Sequence, residues 1–367
     1  MVKLILFSML GFTLPTVAAP ITLISPKQVS AGYTISTTGN YLLADDVFSN
    51  VSAITITNSN VVLDLNNKTL SSASAVATGI TVNAGVGNIT IRNGAIIGFG
   101  TPLSVGSNTS DIVLDGISAI DGSGGSSNIL IGSSNIQRVT IRNCTTGGGV
   151  VTPAGVTLSG VAVGAISDCS LNGIQLSSCT DVVLSRVFTS NNQGHGIGIT
   201  SCTDIVLSDV HSSSNNGSGM VTNSGTDIVV RDSLFTQNAI DGLTMLNSTG
   251  IVVRDSLVAQ NTIIGVSFVS TSSSVIMNCI SRGNGSIGFS IANTSGGVVV
   301  RGSSAYNNTG IGFVNNAGSS ILLGNLAFGN SSNYAGTGPA AFVQVNNGGQ
   351  LPPGSVVDPQ VDNISMV

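Results

Sequence analysis

Seven asparagines recur at a constant interval of 23 residues in the second half of this 367-residue chain. They are Asn192, Asn215, Asn238, Asn261, Asn284, Asn307 and Asn330. A solenoid explains such a period, because each turn stacks on the last and identical side chains lie above one another. The spacing therefore predicts a solenoid in which the asparagines are structural turn residues whose amides hydrogen-bond between turns.

Each repeat also contains short apolar runs, which predict strands. Runs such as Asp181–Leu184 and Asp204–Leu207 place three apolar, mostly β-branched residues after a turn former. Because alternate residues of a strand face the same side, Val182 and Leu184 should point inward. The third strand of each turn begins with a glycine, such as Gly242, and we expect these glycines to adopt positive φ at a corner.

The N-terminus has the pattern of a secretory signal peptide. Within residues 1–19, Lys3 is followed by the apolar stretch Leu4–Leu14 and then by the small residues of Thr16–Ala19. The apolar stretch has about eleven residues, which is short of the roughly 20 needed to span a bilayer. We therefore expect a secreted, periplasmic or cell-surface protein with no transmembrane segment after the signal is removed.

Charge and cysteine content exclude some classes of partner and site. Only 7% of the residues are charged and the net charge is -5, with no basic stripe, so a nucleic acid partner is not expected. The five cysteines form no CxxC pair, which argues against a metal cluster. Cys179 and Cys202 should stack about 4.8 Å apart. That distance permits a disulfide, but parallel side chains favour buried thiols, and both readings stay open.

One repeat position carries charge in four successive turns: Arg186, Asp209, Asp232 and Asp255. Stacking would place the three carboxylates about 4.8 Å apart, with the arginine at one end and His211 nearby. Such a row suggests either a calcium site built from carboxylate oxygens or the acid–base surface of a polysaccharide lyase. The alternative is that Arg231 and Arg254 pair with the adjacent aspartates at solvent-screened corners.

Three segments carry a family resemblance: Gly39–Asp46, Val61–Asn66 and Ile89–Gly94. Together with the repeats, they resemble right-handed parallel β-helix proteins of the pectin-lyase-like superfamily, particularly its NosD-like branch. The resemblance covers nearly the whole mature chain. It implies a fold and leaves the activity open, because the superfamily includes polysaccharide lyases, glycoside hydrolases, epimerases, phage tailspikes and non-enzymatic surface proteins.

The segment Gly194-His195-Gly196 resembles the Gly-His-Gly segment of polygalacturonases, whose histidine works beside paired aspartates and an Arg-x-Lys. Here the preceding coil, Leu171–Leu176, contains no carboxylate, and the sequence has no Arg-x-Lys. Hydrolysis of a glycosidic bond needs an acid and a base or nucleophile beside that bond. We therefore expect His195 to be a corner residue, like Ser218 and Asp241 in the next two turns.

The sequence thus predicts an all-β chain folded as a single-stranded right-handed parallel β-helix of about 12 coils of about 23 residues. We expect a signal peptide at 1–19, an N-terminal cap at 20–56, the β-helix at 57–330, and a C-terminal cap and tail at 331–367. The predicted function is an exported surface or envelope-associated binding or structural protein. It would be non-catalytic, would face a polysaccharide or cell-surface glycan, and would have no cofactor unless the aspartates bind calcium. The alternatives are a polysaccharide lyase or glycoside hydrolase and, from the NosD-like resemblance, a periplasmic helper in cofactor assembly.

Overall fold

The computed structural model describes residues 20–74, 76–122, 127–132, 134–147 and 155–337, and the backbone of 343–345. The predicted signal peptide lies outside these residues, as does most of the predicted C-terminal tail. Residue 75 and residues 123–126, where extra residues between repeats predict inserted loops, also lie outside them.

The chain forms a parallel β-solenoid of about 13 turns of about 23 residues, which confirms the predicted fold and adds one turn to the expected number. Two sheets run the length of the solenoid, one of 22 strands and one of 14 strands. The larger sheet supplies two arms of each turn, and the smaller sheet supplies the third side. The described residues include one short helix, Pro26–Ser30, which contacts the first turns and buries Val29.

In the 22-stranded sheet the two arms of a turn meet at a bend. In six turns both arms form one continuous strand: Val61–Ser71, Gly87–Phe99, Ser110–Asp121, Val161–Leu171, Thr180–Ser190 and Thr203–Ser213. The remaining strands of this sheet are shorter: Ile21–Ile24, Gly39–Leu43, Val47–Phe48, Ile136–Arg142, Thr145–Gly147, Thr226–Arg231, Leu234–Thr236, Val252–Arg254, Leu257–Ala259, Ser272–Met277, Ile280–Arg282, Gly296–Arg301, Ser304–Tyr306, Ile321–Leu323, Asn325–Phe328 and Val343–Val345.

The 14-stranded sheet takes one short strand from each turn. Its strands are Tyr33–Ile35, Ile54–Ile56, Thr78–Val82, Thr101–Val105, Ile129–Ile131, Val156–Ser159, Ile174–Ser177, Ile197–Thr200, Met220–Asn223, Leu243–Leu246, Val266–Val269, Phe289–Ile291, Ile311–Asn315 and Ser332–Ala335. The pairing reaches both ends of the described chain, because strands within the predicted caps already stack in register with the other turns.

Aliphatic stacks fill the interior, as the alternation in each strand predicted. Val182 pairs with Ile205 of the next turn and Leu184 pairs with Leu207, and all four side chains are fully buried. The residue between them, Val183, faces outward. Each buried aliphatic side chain contributes about 1.5–3 kcal/mol relative to an exposed one, so every turn adds a similar increment of stability.

An asparagine ladder closes the corner between the second arm and the 14-stranded sheet. Each Oδ1 accepts the backbone N–H of the ladder asparagine in the preceding turn at 2.9–3.2 Å, and also accepts that residue's Nδ2–H. These buried amides are therefore paired from turn to turn. The ladder residues are Asn192, Asn215, Asn238, Asn261, Asn284, Asn308 and Asn330.

The sixth ladder residue is Asn308, so the prediction of Asn307 from the constant period was wrong. The period shifts because Ser272 pairs with Gly296, which makes that turn one residue longer. Asn307 instead has a φ of 54°, the left-handed conformation that Asn191 adopts before the first ladder residue. Asparagine tolerates this conformation better than most residues. Asn307 therefore fits the turn in the backbone, whereas Asn308 hydrogen-bonds in the ladder.

Replacing Asn308 with alanine should lower the free energy of unfolding by about 1–3 kcal/mol, because two buried donors of Asn284 would lose their acceptor. Replacing Asn307 with glycine should change it by less than about 0.5 kcal/mol, since glycine adopts the left-handed conformation freely. Urea unfolding of both variants checks this. Equal losses, or a larger loss for Asn307→Gly, would contradict the assignment.

Close packing against the next turn requires glycine at the start of the third strands. The expectation that these glycines have positive φ was wrong for most of them. Gly173 has a φ of 153°, but Gly242 and its other equivalents lie outside the left-handed region. A Cβ at Gly242 would overlap a methyl group of Val258 and would lie 2.7 Å from the carbonyl oxygen of Gly265. The asparagine ladder and the backbone of the next turn leave no room for a side chain there.

Substituting alanine for Gly242 should therefore destabilise the fold by about 1–3 kcal/mol through overpacking. Gly194 provides a matched control, because a Cβ there would meet nothing within 4 Å and its φ is ordinary. Thermal or urea unfolding of Gly194→Ala should match the parent within about 0.5 kcal/mol. If Gly242→Ala were as stable as Gly194→Ala, the steric account would fail.

Small polar side chains form further capping columns, and the cysteines belong to them. The N–H of Cys179 donates to Sγ of Cys202 at 3.3 Å, just as the N–H of Gly225 donates to Oγ of Ser248 at 3.1 Å two turns later. All five cysteines are buried free thiols in the structure. Burial raises the pKa of Cys279 to about 12, which keeps that thiol protonated at neutral pH.

Candidate functional site

The predicted charged row lies at the bend between the two arms of the 22-stranded sheet. Arg186, Asp209, Asp232 and Asp255 all have φ between 50° and 56°. Asparagine, aspartate and glycine adopt this left-handed conformation most readily. The same bend position is left-handed in neighbouring turns, where it holds Asn93, Gly116, Asn143, Asp168, Asn278, Gly302 and Gly324. The left-handed backbone conformation is therefore sufficient to explain why aspartates occur at this position.

Arg186 turns away from the aspartate row. Its Nε and Nη2 donate to the two carboxylate oxygens of Asp168 in the preceding turn, at 2.6 and 2.9 Å. This hydrogen bond holds the pKa of Asp168 below its usual value. The prediction that Arg186 ends the row beside Asp209 missed this partner. Because the two side chains are 58% and 41% exposed, solvent screens their charges and the pair adds little to stability.

Two of the three aspartates of the row pair with arginines of their own turn, as the alternative of solvent-screened ion pairs predicted. Arg231 lies 3.1 Å from Asp232, and Arg254 lies 2.8 Å from Asp255. Hydrogen bonds from Arg254 and Asn278 lower the pKa of Asp255. Within the described ranges, no three His, Cys, Asp or Glu side chains converge to hold a metal ion. Calcium binding by this row stays a prediction.

His211 stacks beside an aromatic residue that the sequence analysis did not single out. Phe188 pairs with His211 across adjacent turns, with ring centroids 5.6 Å apart, and it is 54% exposed. The outward column continues through Leu234, Leu257 and Ile280. The 23-residue offset between Phe188 and His211 was the signal in the sequence. Exposed Asp209 lies two residues before His211, so this part of the surface combines an apolar ring with a carboxylate.

His195 lies at the predicted corner and caps the next turn. Its Nδ1 accepts the backbone N–H of Ser218 at 3.0 Å, and Oγ of Ser218 accepts the N–H of Asp241 at 3.4 Å. Asp241 in turn accepts the N–H of Ile264 at 3.0 Å and the hydroxyl of Thr244 at 2.9 Å. Histidine, serine and aspartate therefore lie in one column, and the side chain of each accepts a backbone N–H from the following turn. Ser218 contacts His195 through its backbone N–H and not through its hydroxyl.

The cap at His195 requires a neutral imidazole, because a protonated Nδ1 cannot accept a hydrogen bond. Partial burial lowers the pKa of His195, and the charge of Asp241 opposes that shift weakly. A histidine whose pKa is lower in the folded state contributes stability above its unfolded value of about 6.5, and that stability is lost as the pH falls through the folded pKa.

The parent chain should therefore unfold more readily at pH 5.5 than at pH 7.5, with part of the loss due to His195. A His195→Asn variant keeps an acceptor but removes the titrating group, so it should lose less stability over the same interval. Urea midpoints at the two pH values measure the difference. An identical pH dependence in both proteins would show that His195 does not titrate in this way.

An open groove of about 430 Å³ runs along the first arm. Asp181, Asp204 and Asp227 form one edge with left-handed φ, as expected for turn residues, and the valine row that includes Val183 and Val206 forms its floor. In the described part of the chain, these three aspartates make no ion pair with a basic side chain. The groove is therefore acidic along one edge and apolar along its floor.

The family described as right-handed β-helix region matches residues 126–275 and 172–331, which together span more than half of the chain. The chain therefore belongs to the right-handed β-helix family, and its fold is that of the pectin-lyase-like superfamily. No curated protein sequence matches it. Among the described residues, no helix has the length and apolar character needed to cross a membrane.

Several solved structures share this fold at low sequence identity. The A-module of the mannuronan C-5 epimerase AlgE6 of Azotobacter vinelandii has a TM-score of 0.60 and 15% identity, over 91% of this chain and 93% of that chain. A variant of the periplasmic alginate epimerase AlgG has a TM-score of 0.61 and 13% identity, over 90% and 84%. The Dettilon tailspike protein has a TM-score of 0.52 and 13% identity, over 82% and 66%.

Proposed function

We propose that this chain is an exported β-helix protein that faces a polysaccharide or cell-surface glycan and binds it without catalysis. The observation that carries the proposal is that three of the polar groups that could act on a substrate already have structural partners. His195 and Asp241 accept backbone N–H groups, and Arg186 is bound to Asp168. Groups held in this way cannot move protons to or from a substrate without uncapping the next turn.

The similar structures support a glycan-facing role. Mannuronan and alginate, which appear in the names of the epimerases, are polysaccharides. A solenoid also suits an extended polymer, because each turn repeats the same set of outward side chains along one axis. The signal pattern in residues 1–19 supports export, and a secreted, periplasmic or cell-surface location would place the protein where such polymers occur.

The enzymatic alternative rests on Asp209 and His211. Both lie beside exposed Phe188, and Asp209 is itself exposed. A lyase or hydrolase would need these two groups to flank the scissile bond as acid and base. The other row aspartates are paired with Arg231 and Arg254, so they could join such a site only by breaking an ion pair.

Affinity electrophoresis of the purified chain in gels containing neutral or uronate polysaccharides tests the proposal. The chain should be retarded by at least one polymer, with no unsaturated product and no new reducing ends after prolonged incubation. An Asp209→Asn, His211→Gln double variant should be retarded to the same extent as the parent. Turnover that the double variant abolishes would establish the enzymatic alternative instead.

A further inference from the structure

The two sheets differ sharply in charge. None of the 14 strands of the smaller sheet, as the structure describes them, contains Asp, Glu, Lys, Arg or His. The larger sheet and its bends hold all seven ion pairs found among the described residues, including those of Arg92, Arg142 and Arg254. Among the described residues, the ion pairs are thus confined to the larger sheet and its bends.

The outer face of the 14-stranded sheet presents hydroxyl, amide and small apolar groups. Its outward residues alternate with buried ones, as Val221 does between Met220 and Thr222. Pairing in register stacks these outward residues into a column along the axis. The column runs through Thr34, Thr55, Thr81, Ser104, Leu130, Thr157, Gln175, Gly198, Val221, Thr244, Ser267 and Ser290, of which Gly198 and Ser267 are buried.

One carboxylate lies at the margin of this face, and both of its oxygens accept hydrogen bonds from the chain. Asp241 is only 9% exposed, and it accepts the hydroxyl of Thr244 and the N–H of Ile264. It therefore presents little charge to a ligand. With strands about 4.8 Å apart, the face extends about 60 Å along the solenoid.

We propose that the outer face of the 14-stranded sheet binds an uncharged, hydroxyl-rich polysaccharide laid along the solenoid axis. The inference rests on the proposed glycan-facing function and names the class of glycan and the face. Threonine, serine and glutamine side chains both donate to and accept from sugar hydroxyls. Val221, which is partly exposed, adds a small apolar contact for the ring of a sugar.

Charge decides against an acidic polymer on this face. A polyuronate would have to bring its carboxylates out of water against strands that offer no cation, and unpaired charges are costly to desolvate. The aspartate-edged groove on the other flank, with Asp181, Asp204 and Asp227, would repel the same polymer. We therefore expect this chain to prefer neutral glycans to alginate.

Binding isotherms of the full mature chain on cellulose and chitin particles, with soluble alginate as the acidic comparison, test the proposal. Val221→Lys places a charge on the proposed face, and Val229→Lys places the same charge on the larger sheet one strand later in the chain. Both valines are outward-facing and partly exposed. Val221→Lys should weaken binding to the neutral particles by about tenfold or more, and Val229→Lys by less than about twofold. Circular dichroism confirms that both variants remain folded.

Equal effects of the two lysines, or a preference of the parent chain for alginate, would overturn the assignment of the face and the glycan class. Alginate binding would leave the wider glycan-facing function standing, whereas binding to none of the polymers would remove both. Two other occupants of a flat uncharged face have their own readouts. Self-association in sedimentation or thermal hysteresis of ice growth, without glycan binding, would assign the face to a second copy or to ice.

Discussion

The fold depends on hydrogen bonds that run from one turn to the next inside the corners. At each rung of the asparagine ladder, one amide oxygen serves both the backbone and the side chain of the previous rung, as between Asn238 and Asn261. At other corners, serine, cysteine and histidine side chains accept a backbone N–H from a neighbouring turn. An unpaired buried donor is costly. Replacing one of these acceptors therefore leaves a donor of the adjacent turn unpaired, and this cost holds each turn in register with the next.

This constraint shapes what the surface is free to do. His195 and Asp241 belong to residue types that often act in catalysis. Here their side chains accept backbone N–H groups of the following turn. The aspartates at the bend fit a left-handed backbone and pair with nearby arginines. Residues that face outward from the strands are under no such demand. The functional surface is therefore sought on the strand faces, where the uncharged sheet and the Phe188 column differ most from the corners.

The period of 23 residues predicted the fold, the inward aliphatic stacks and the stacking of the charged row, because all three depend only on which residues lie above one another. It could not place features set by a single added residue or by side-chain direction. The longer turn before Gly296 shifted the ladder from Asn307 to Asn308. Arg186 had aspartates on both sides, and only the structure shows that it binds Asp168. The glycines that begin the third strands were predicted to have positive φ. Their actual cause, the close approach of the next turn, cannot be seen in the sequence.

Native-state hydrogen exchange tests the central claim most directly. The amide hydrogens capped by ladder side chains, including those of Asn215, Asn238 and Asn261, should exchange only in large cooperative openings and should be the slowest in the chain. Exchange of these amides at rates close to those of exposed, uncapped positions would contradict the account, because the turns would then not be held together by their corners.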